Sequence, residues 1–563
     1  MEEYFMAIVV KTKKRKLGSS SGSSGSSREQ SPLRPYPTPK DSPCHAGCPN
    51  HGAIRTALRI IADSEKFGRT YEASFELAWQ AITENNPLPA ILGRVCPHLC
   101  EDDCNRKTLD GAVNVNSIER FLGDFGIAQK LSLSRVATRP EKIQIAVIGS
   151  GPAGLSCAYQ LARRGVAVTI FESLPKPGGM LRYGIPTYRL PKNILDAEIQ
   201  RILDLGVEIK CNSAIGRDIS YEELRQEYRA VFIGIGAQRA TNLGIAGEKT
   251  EGVIGGIEFL RQVASGEKCQ VGKQVVVIGG GNTAIDAART SLRLGASDVT
   301  ILYRRTREEM PAHHDEIEET LEEGIKISYL AAPIAIERRS DRLTLKCIRM
   351  ELGEPDQSGR KYPRPVPGSE YEIAADTIIP AIGQEIDVSG LESLIVDKKS
   401  RPIDDYGQMI AGVHAGGDML GLGLVSQAIS QGRMAAEAMI AQIDGQDIKV
   451  QEKAPVVLYE KMRLDHYEKV ARQDRPRVAP TVRLAQADHE VSIGLSREEV
   501  IQEAKRCLSC GYCFDCEKCW MYCQVSAVAK PAHKGEPYGY KLELCDGCKK
   551  CAEECPCGFI EMR

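Results

Sequence analysis

The chain has 563 residues, too many for one hydrophobic core, and its 73 basic and 75 acidic residues leave a formal net charge of -2. That balance excludes bulk electrostatic attraction to nucleic acid or to an anionic membrane as an organising property. With 42% hydrophobic residues, 6% aromatics and 52 glycines, the composition suits nucleotide-binding α/β layers better than a sandwich or a barrel.

At the N-terminus the apolar MAIVV precedes the basic KTKKRK, the reverse of a secretory leader's order. No apolar run reaches the roughly 18 residues that span a bilayer. A cytoplasmic protein with no membrane span and no nucleic-acid partner is expected. KTKKRK reads as a solvated charge run, LGSSSGSSGSSREQ as a flexible linker, and residues 1–40 are given no fold. Residues 41–138 read as helical and cysteine-punctuated, with stretches such as SFELAWQAITE spacing apolar residues at three and four.

From residue 139 the pattern becomes strand, glycine turn, helix, and it does so twice. KIQIAVIGSGPAGLSCAYQLARRGVAVTIFES runs a strand into Gly149-x-Gly151-x-x-Gly154, then a helix, then a strand ending at Glu172. Gly149 allows the tight turn, Gly151 lets backbone approach a pyrophosphate, and Gly154 lets helix meet strand. Glu172 is placed to hold ribose hydroxyls. The second copy, KQVVVIGGGNTAIDAARTSLRLGASDVTILYRR, has Gly279-x-Gly281 with Ala284 in the third position, and Arg304 and Arg305 where an NAD site wants an acid. Guanidinium groups there bind a 2′-phosphate that a carboxylate would repel, which favours NADP(H) over NAD(H); the alternative is that both arginines face solvent.

Two such folds, the second (256–374) inserted into the first (139–255 and 375–449), describe a flavin reductase with FAD on the outer domain and nicotinamide on the inner. In GVHAGGDMLGLGLVSQAISQGRMAAEAM, Asp418 after Gly417 is placed to bond the ribityl or phosphate region of the flavin, and the next helix to aim its N-terminus at the ring. Hydride transfer needs positioning more than proton transfer, so no catalytic acid or base is assigned. The close cysteine pair of flavin disulfide reductases is missing near these signatures, where Cys157 stands alone; electrons leave by another route.

Residues 450–505 read as a polar connector ending in SREEVIQEAKR, a helix with Ser496 as N-cap and Glu499 three residues on. Twenty cysteines in such a chain argue for reduced thiolates holding metal. In residues 506–563, Cys513-x2-Cys516-x2-Cys519-x3-Cys523 and Cys545-x2-Cys548-x2-Cys551-x3-Cys555-Pro form the two-cluster ferredoxin pattern, each fourth cysteine serving the other cluster. One cluster takes Cys513, Cys516, Cys519 and Cys555; its neighbour takes Cys545, Cys548, Cys551 and Cys523. Zinc is the alternative. Cys557 is surplus, and Cys507 and Cys510, in RCLSC, are spare.

NPLPAILGRVCPHLCEDDCNR, GSGPAGL, KPGGMLRYGIPTYRLPK, GGGNTAID, YRRTREEMPA and AGGDMLGLGLVSQAI together closely resemble the small subunit of glutamate synthase and its relatives, over roughly Cys44 to Ile443. Those relatives include the N-terminal half of dihydropyrimidine dehydrogenase and the large subunit of the electron-bifurcating ferredoxin:NADP oxidoreductase. The resemblance implies an α/β fold: a helical N-terminal iron–sulfur domain, two Rossmann-like dinucleotide-binding domains, and here a C-terminal α+β ferredoxin-like domain. It implies FAD contacts from Pro152, Ala153, Gly179 and Leu181, and nucleotide contacts from Asn282, Thr283 and Asp286. It also implies two [4Fe–4S] clusters in the helical domain, one held by Cys48, Cys96, Cys100 and Glu119; the alternative for Glu119 is a surface helix position. For the other, the family's RCLxC pair upstream is missing, which strands Cys44 and Cys104. Cys507 and Cys510 supply the missing pair if the tail folds back, in the same chain or across a homodimer, giving four clusters in all.

The expected activity is hydride exchange between NADP(H) and FAD, then single-electron transfer through the clusters to or from a partner redox enzyme or ferredoxin. The chain is expected to work as a complex subunit. Alternatives are an NADP+-reducing subunit of a 2-oxoacid or aldehyde oxidoreductase, a partner of dissimilatory sulfite reductase, the small subunit of a glutamate synthase, or a non-catalytic electron-wiring scaffold.

Overall fold

The structure, a computed structural model, describes residues 31–139, 142–355, 359–391, 404, 406–448, 454–464, 467–532 and 538–563. KTKKRK and the Ser/Gly linker lie outside the described residues. Strand β1 (Pro35–Pro37) lies near the start and pairs antiparallel with Ile560–Met562 at the other end of the chain. Residues 31–40 therefore differ from the expected flexible tail. Their amides are satisfied by the C-terminal segment: Thr38 N–H donates to Phe559 O (2.8 Å) and Lys40 N–H to Gly511 O (3.0 Å).

The helical layer is built from α1 (Ile54–Ala62), α2 (Tyr71–Thr83), α3 (Pro89–Val95) and α4 (Val115–Ala128). Thr70 caps α2 by accepting from Ala73 N–H (3.2 Å), and Asn114 caps α4 by accepting from Ser117 N–H (3.1 Å). Pro89 opens α3, where no N–H is needed. The next two amides of α3, Ala90 and Ile91, donate to the Glu198 carboxylate of the following domain (2.9 and 3.1 Å). Helices α3 and α4 touch backbone to backbone, because a Cβ on Gly123 would lie 2.1 Å from Ala90 N.

The outer dinucleotide domain is a six-stranded sheet. Strands β2 (Gln144–Ile148), β3 (Ala167–Phe171), β4 (Glu208–Lys210) and β5 (Ala230–Ile233) pair in parallel in the order β5-β2-β3-β4. The buried runs of β2 and β5 are those of a sheet covered on both faces. Between β2 and β3 lies helix α5 (Pro152–Ala162). The inner domain interrupts this sheet. Its strands β6 (Gln274–Ile278), β7 (Asp298–Leu302) and β8 (Lys326–Ser328), with helix α6 (Asn282–Arg293) after β6, pair in parallel, and an antiparallel insert from residue 331 to 375 precedes its last strand, β9 (Thr377–Pro380). The chain then returns to the outer sheet through β10 (Gln408–Ile410) and β11 (Val413–Ala415), the latter parallel to β5, and into α7 (Val425–Ile443), packed on α5.

Residues 467–495 act as a strap. Arg483, with a fully buried side chain, pairs with Glu322 (2.9 Å) and Glu323 (3.0 Å) of the inner domain. Val491 N–H donates to Tyr188 O of the outer domain (3.0 Å), and Glu490 pairs with Arg94 and Arg120 of the helical layer (both 2.9 Å). Helix α8 (Arg497–Lys505) carries the expected reciprocal cap, with Ser496 N–H on the Glu499 carboxylate at 2.7 Å. Its apolar face, Val500, Ile501 and Ala504, is buried with Leu58, Phe75 and Ile118. The sequence reading put this helix in the connector, but burial of Val500 and Ile501, worth about 1.5–3 kcal/mol each, attaches it to the helical layer. In the tail, Lys518–Met521 and Lys550–Glu553 are matching short helices, each entered through a left-handed residue, Glu517 and Lys549, both at φ 64°. Among the described residues no helix is long and apolar enough to cross a membrane.

Candidate functional site

One cavity of about 1310 Å3 joins the two dinucleotide domains. Gly149, Gly151, Glu172 and Gly179 line it from the outer sheet, and Gly279, Gly281, Asn282 and Arg304 from the inner one. The glycine fingerprint behaves as its spacing implies. Gly149 has φ 93°, a Cβ on Gly154 would lie 2.0 Å from Gly149 O, and a Cβ on Gly151 would meet nothing within 4 Å. Backbone thus closes tightly at the first and third glycines and stays open at the second, where α5 presents its N-terminal amides to the cavity. Gly281 is similarly open, with its nearest neighbour Pro311 Cγ at 3.9 Å.

Glu172 is buried at the end of β3, and each of its oxygens is held by an amide: Ser150 N–H at 3.0 Å and Leu174 N–H at 2.8 Å. Asp418 accepts from Gly423 N–H (3.1 Å), and burial raises its carboxyl above the ordinary range. Gly417 N–H is held by Gln431 (2.8 Å), and Leu424 and Val425, opening α7, also line the cavity. Pro152, Ala153, Leu181 and Thr283 line it too, Thr283 accepting from Gln384 at 3.3 Å. Asp286 reaches the cavity wall while paired with Arg189 of the outer domain (2.6 Å); burial raises its carboxyl to about 6 against the pull of that guanidinium. The two arginines after β7 diverge. Arg304 is exposed to the cavity mouth, whereas Arg305 is buried and its Nε donates to Lys361 O of the antiparallel insert (2.8 Å).

Sequence reasoning missed Arg189 and Arg360, both at this cavity, since neither stands in a fingerprint. It also missed Val95 and Pro97. They flank Cys96 and line the dinucleotide cavity, while Cys96 itself, just past the end of α3, lines a small neighbouring cavity with Arg189 and Asn282.

The other thiols fall into sets. Cys48, Cys96 and Cys100 lie within electrostatic reach of one another, with the Glu119 carboxyl facing Cys48 and Cys96. Glu119 is turned inward, not outward: burial raises its carboxyl to about 7, against a hydrogen bond from Asn86 Nδ2 (2.9 Å). Burial pushes the Cys96 thiol up to about 12, Glu119 adding to the effect. Cys44, Cys104, Cys507 and Cys510 come together in a single chain. Burial pushes the Cys44 thiol up to about 12, with Cys507 and Cys104 adding, and raises Cys510 with Cys507, Cys44 and Cys104 adding. Asn105 Nδ2 donates to Cys510 Sγ at 3.5 Å, and Arg55 Nη1 to Cys510 O.

RCLSC is held there by Arg506. Its guanidinium bonds Asp110 Oδ1 (2.9 Å), Glu503 Oε1 (2.5 Å), Gly111 O (2.7 Å) and Val470 O (3.0 Å), while Arg106 reaches Arg506 O. In the tail, Cys513, Cys516, Cys519 and Cys555 line one small cavity. Cys551 is in electrostatic contact with Cys545, Cys548 and Cys523. Among the described residues no three His, Cys, Asp or Glu side chains close round a single ion. Sets of mutually opposed thiols, most of them partly or fully buried and Cys548 exposed, nevertheless fit an iron–sulfur cluster, whose iron would offset the cost of deprotonating each of them.

Cys157 is fully buried within α5, and no cysteine is among the described residues lining the dinucleotide cavity.

Residues 143–432 match the pyridine nucleotide-disulphide oxidoreductase family, and residues 38–131 match dihydropyrimidine dehydrogenase domain II, described as a 4Fe-4S cluster domain. Over 512 residues the chain is 36% identical to the NADPH-Fe(3+) oxidoreductase subunit beta of Geobacter sulfurreducens, covering 83% of this chain and 75% of that protein. It is 38% identical over 515 residues to the NADP(+)-dependent formate dehydrogenase subunit beta of Moorella thermoacetica (83% and 70%). It is 36% identical over 424 residues to the glutamate synthase [NADPH] small chain of Escherichia coli (70% and 88%). The chain belongs to the pyridine nucleotide-disulphide oxidoreductase family and is an NAD(P)H-dependent iron–sulfur flavoprotein oxidoreductase, with FAD, a pyridine nucleotide and [4Fe–4S] clusters as its cofactors.

Proposed function

We propose that the chain takes hydride from NADPH on FAD and hands single electrons along its thiol sets to a redox partner, as one subunit of a larger complex. When bound, FAD supplies the conversion of a two-electron hydride into single electrons. The residues of this chain hold and orient the groups. Gly151 and the α5 amides would receive the FAD pyrophosphate, Glu172 the ribose hydroxyls and Asp418 the ribityl region, and the positive end of α7 at the cavity would stabilise negative charge on the bound cofactor. Gly281 and the α6 amides receive the second pyrophosphate. Arg304, free of the backbone contact that occupies Arg305 Nε, takes the 2′-phosphate and selects NADP(H).

The observation that carries this reading is that Val95 and Pro97, the two neighbours of Cys96, both line the dinucleotide cavity. On this reading Cys48, Cys96, Cys100 and Glu119 are the ligands nearest the flavin. Cys44, Cys104, Cys507 and Cys510 follow, and then the two ferredoxin-like sets of the tail, four clusters in all. The domains of this reading are the helical layer with α8, the outer FAD domain, the inserted NADP(H) domain, the strap and the tail. The relatives' names support a partner subunit, of the kind found with formate dehydrogenase or glutamate synthase, whose potential fixes the direction of flow.

Anaerobic stopped-flow mixing with NADPH tests the proposal. Flavin bleaching followed by iron–sulfur reduction is expected, whereas a wiring scaffold bleaches no flavin and would contradict it.

A further inference from the structure

The tail carries one thiol that the ferredoxin spacing does not use. Cys557 follows Cys555-Pro556, is 2% exposed, and its sulfur lies 3.6 Å from Cys555 Sγ. It does not point away from the cluster site. The cavity lined by Cys513, Cys516, Cys519 and Cys555 is lined by Cys557 as well, so five thiols face a space where a cubane offers four iron corners. Its backbone is pinned from the other side, since Cys557 O accepts from Gly511 N–H at 2.8 Å. Gly511 follows Cys510 directly, so residue 557 sits at the seam between the RCLSC thiols and the first tail set. A Cβ on Gly511 would lie 2.3 Å from Lys40 O, so this seam is closed by the N-terminal segment and has little room to shift.

We propose that Cys557 is a fifth, exchangeable ligand of this tail cluster, able to take the iron corner assigned to Cys555. The exchange breaks the Fe–S bond to Cys555 and forms one to Cys557. The proton of the incoming thiol passes to the departing thiolate across the same 3.6 Å contact, and no electron is gained or lost. The inference rests on the reading that the tail thiols hold iron–sulfur clusters.

The test uses the full chain with FAD and clusters loaded, as Cys555→Ala, Cys557→Ala and the double variant. Iron and acid-labile sulfide per flavin are measured, and the reduced proteins are examined by electron paramagnetic resonance. Each single variant is expected to keep the iron of the unaltered chain, with a shifted spectrum, and the double variant to lose one cluster. A Cys555→Ala chain that loses as much iron as the double variant overturns the exchange, as does a Cys557→Ala chain that loses it. If Cys555→Ala does not accumulate, Cys555→Val, which also offers iron no ligating atom, takes its place, and the same comparison decides. A double variant with all the iron of the unaltered chain instead overturns the tail-cluster reading beneath it.

Discussion

Replacing Arg506 by methionine probes the anchor that brings RCLSC to the helical layer. The side chain is 2% exposed and is the cation for two carboxylates, Asp110 and Glu503. Methionine fills most of the volume but leaves the carbonyls of Asp110, Gly111 and Val470 without their guanidinium donor, while Ala112 O keeps Arg472 Nη1 (2.8 Å). Removing one partner of a buried ion pair costs about 3–5 kcal/mol. Here the lower end applies, because Asp110 keeps Arg106 (2.6 Å) and Glu503 keeps the amides of Asn114 (2.7 Å) and Gln473 (2.9 Å). Urea unfolding followed by Trp79, buried in this layer, should show a loss of about 3 kcal/mol. Iron content should fall as well, since Cys507 is the next residue. A loss under about 1 kcal/mol with full iron content would refute the anchoring role.

The same network makes stability depend on acid. Burial alone would raise the Asp110 carboxyl, but hydrogen bonds from Arg106, Val470 N–H and Arg506 outweigh it and hold it at about 2. A depressed carboxylate contributes stability that is complete above its ordinary value near 4 and is lost as pH falls toward 2. The loss attributable to this residue is about 2 kcal/mol, checked by comparing the pH profiles of the parent and Asp110→Asn. Arg304→Ala should raise the KM for NADPH by about 10- to 100-fold while leaving kcat and NADH turnover nearly unchanged, as expected for about 1.5–3 kcal/mol of charge-assisted bonding. Gly123→Ala should destabilise the chain by about 1–3 kcal/mol through its collision with Ala90 N, read as a lower thermal midpoint.

What was legible in the sequence followed from short-range rules. The turn at Gly149, the open approach at Gly151 and the close one at Gly154 are properties of three residues and their immediate neighbours, and the structure reproduces them without adjustment. The match between two stranded cysteines and two spare ones is arithmetic on ligand number, and in the fold Cys44 and Cys510 each lie within electrostatic reach of Cys104 and Cys507. Other features depend on long-range contact and leave no local period. Pro35–Pro37 gives no sign of pairing with Ile560–Met562. A polar connector gives no sign that Arg483 will be fully buried against Glu323. Arg304 and Arg305 are adjacent and chemically identical, and only the insert carrying Lys361 separates their roles. Val95 and Pro97 look like ordinary neighbours of a cysteine until α3 is placed against the cavity.

If the pair in RCLSC completes the cluster for which Cys44 and Cys104 are two ligands short, removing that pair costs the cluster. Iron and acid-labile sulfide, measured per flavin in the full chain with Cys507→Ser and Cys510→Ser together, test it most directly. The account predicts the loss of about four irons and four sulfides, one cluster, with FAD content unchanged. Iron and sulfide at the level of the unaltered chain would contradict it.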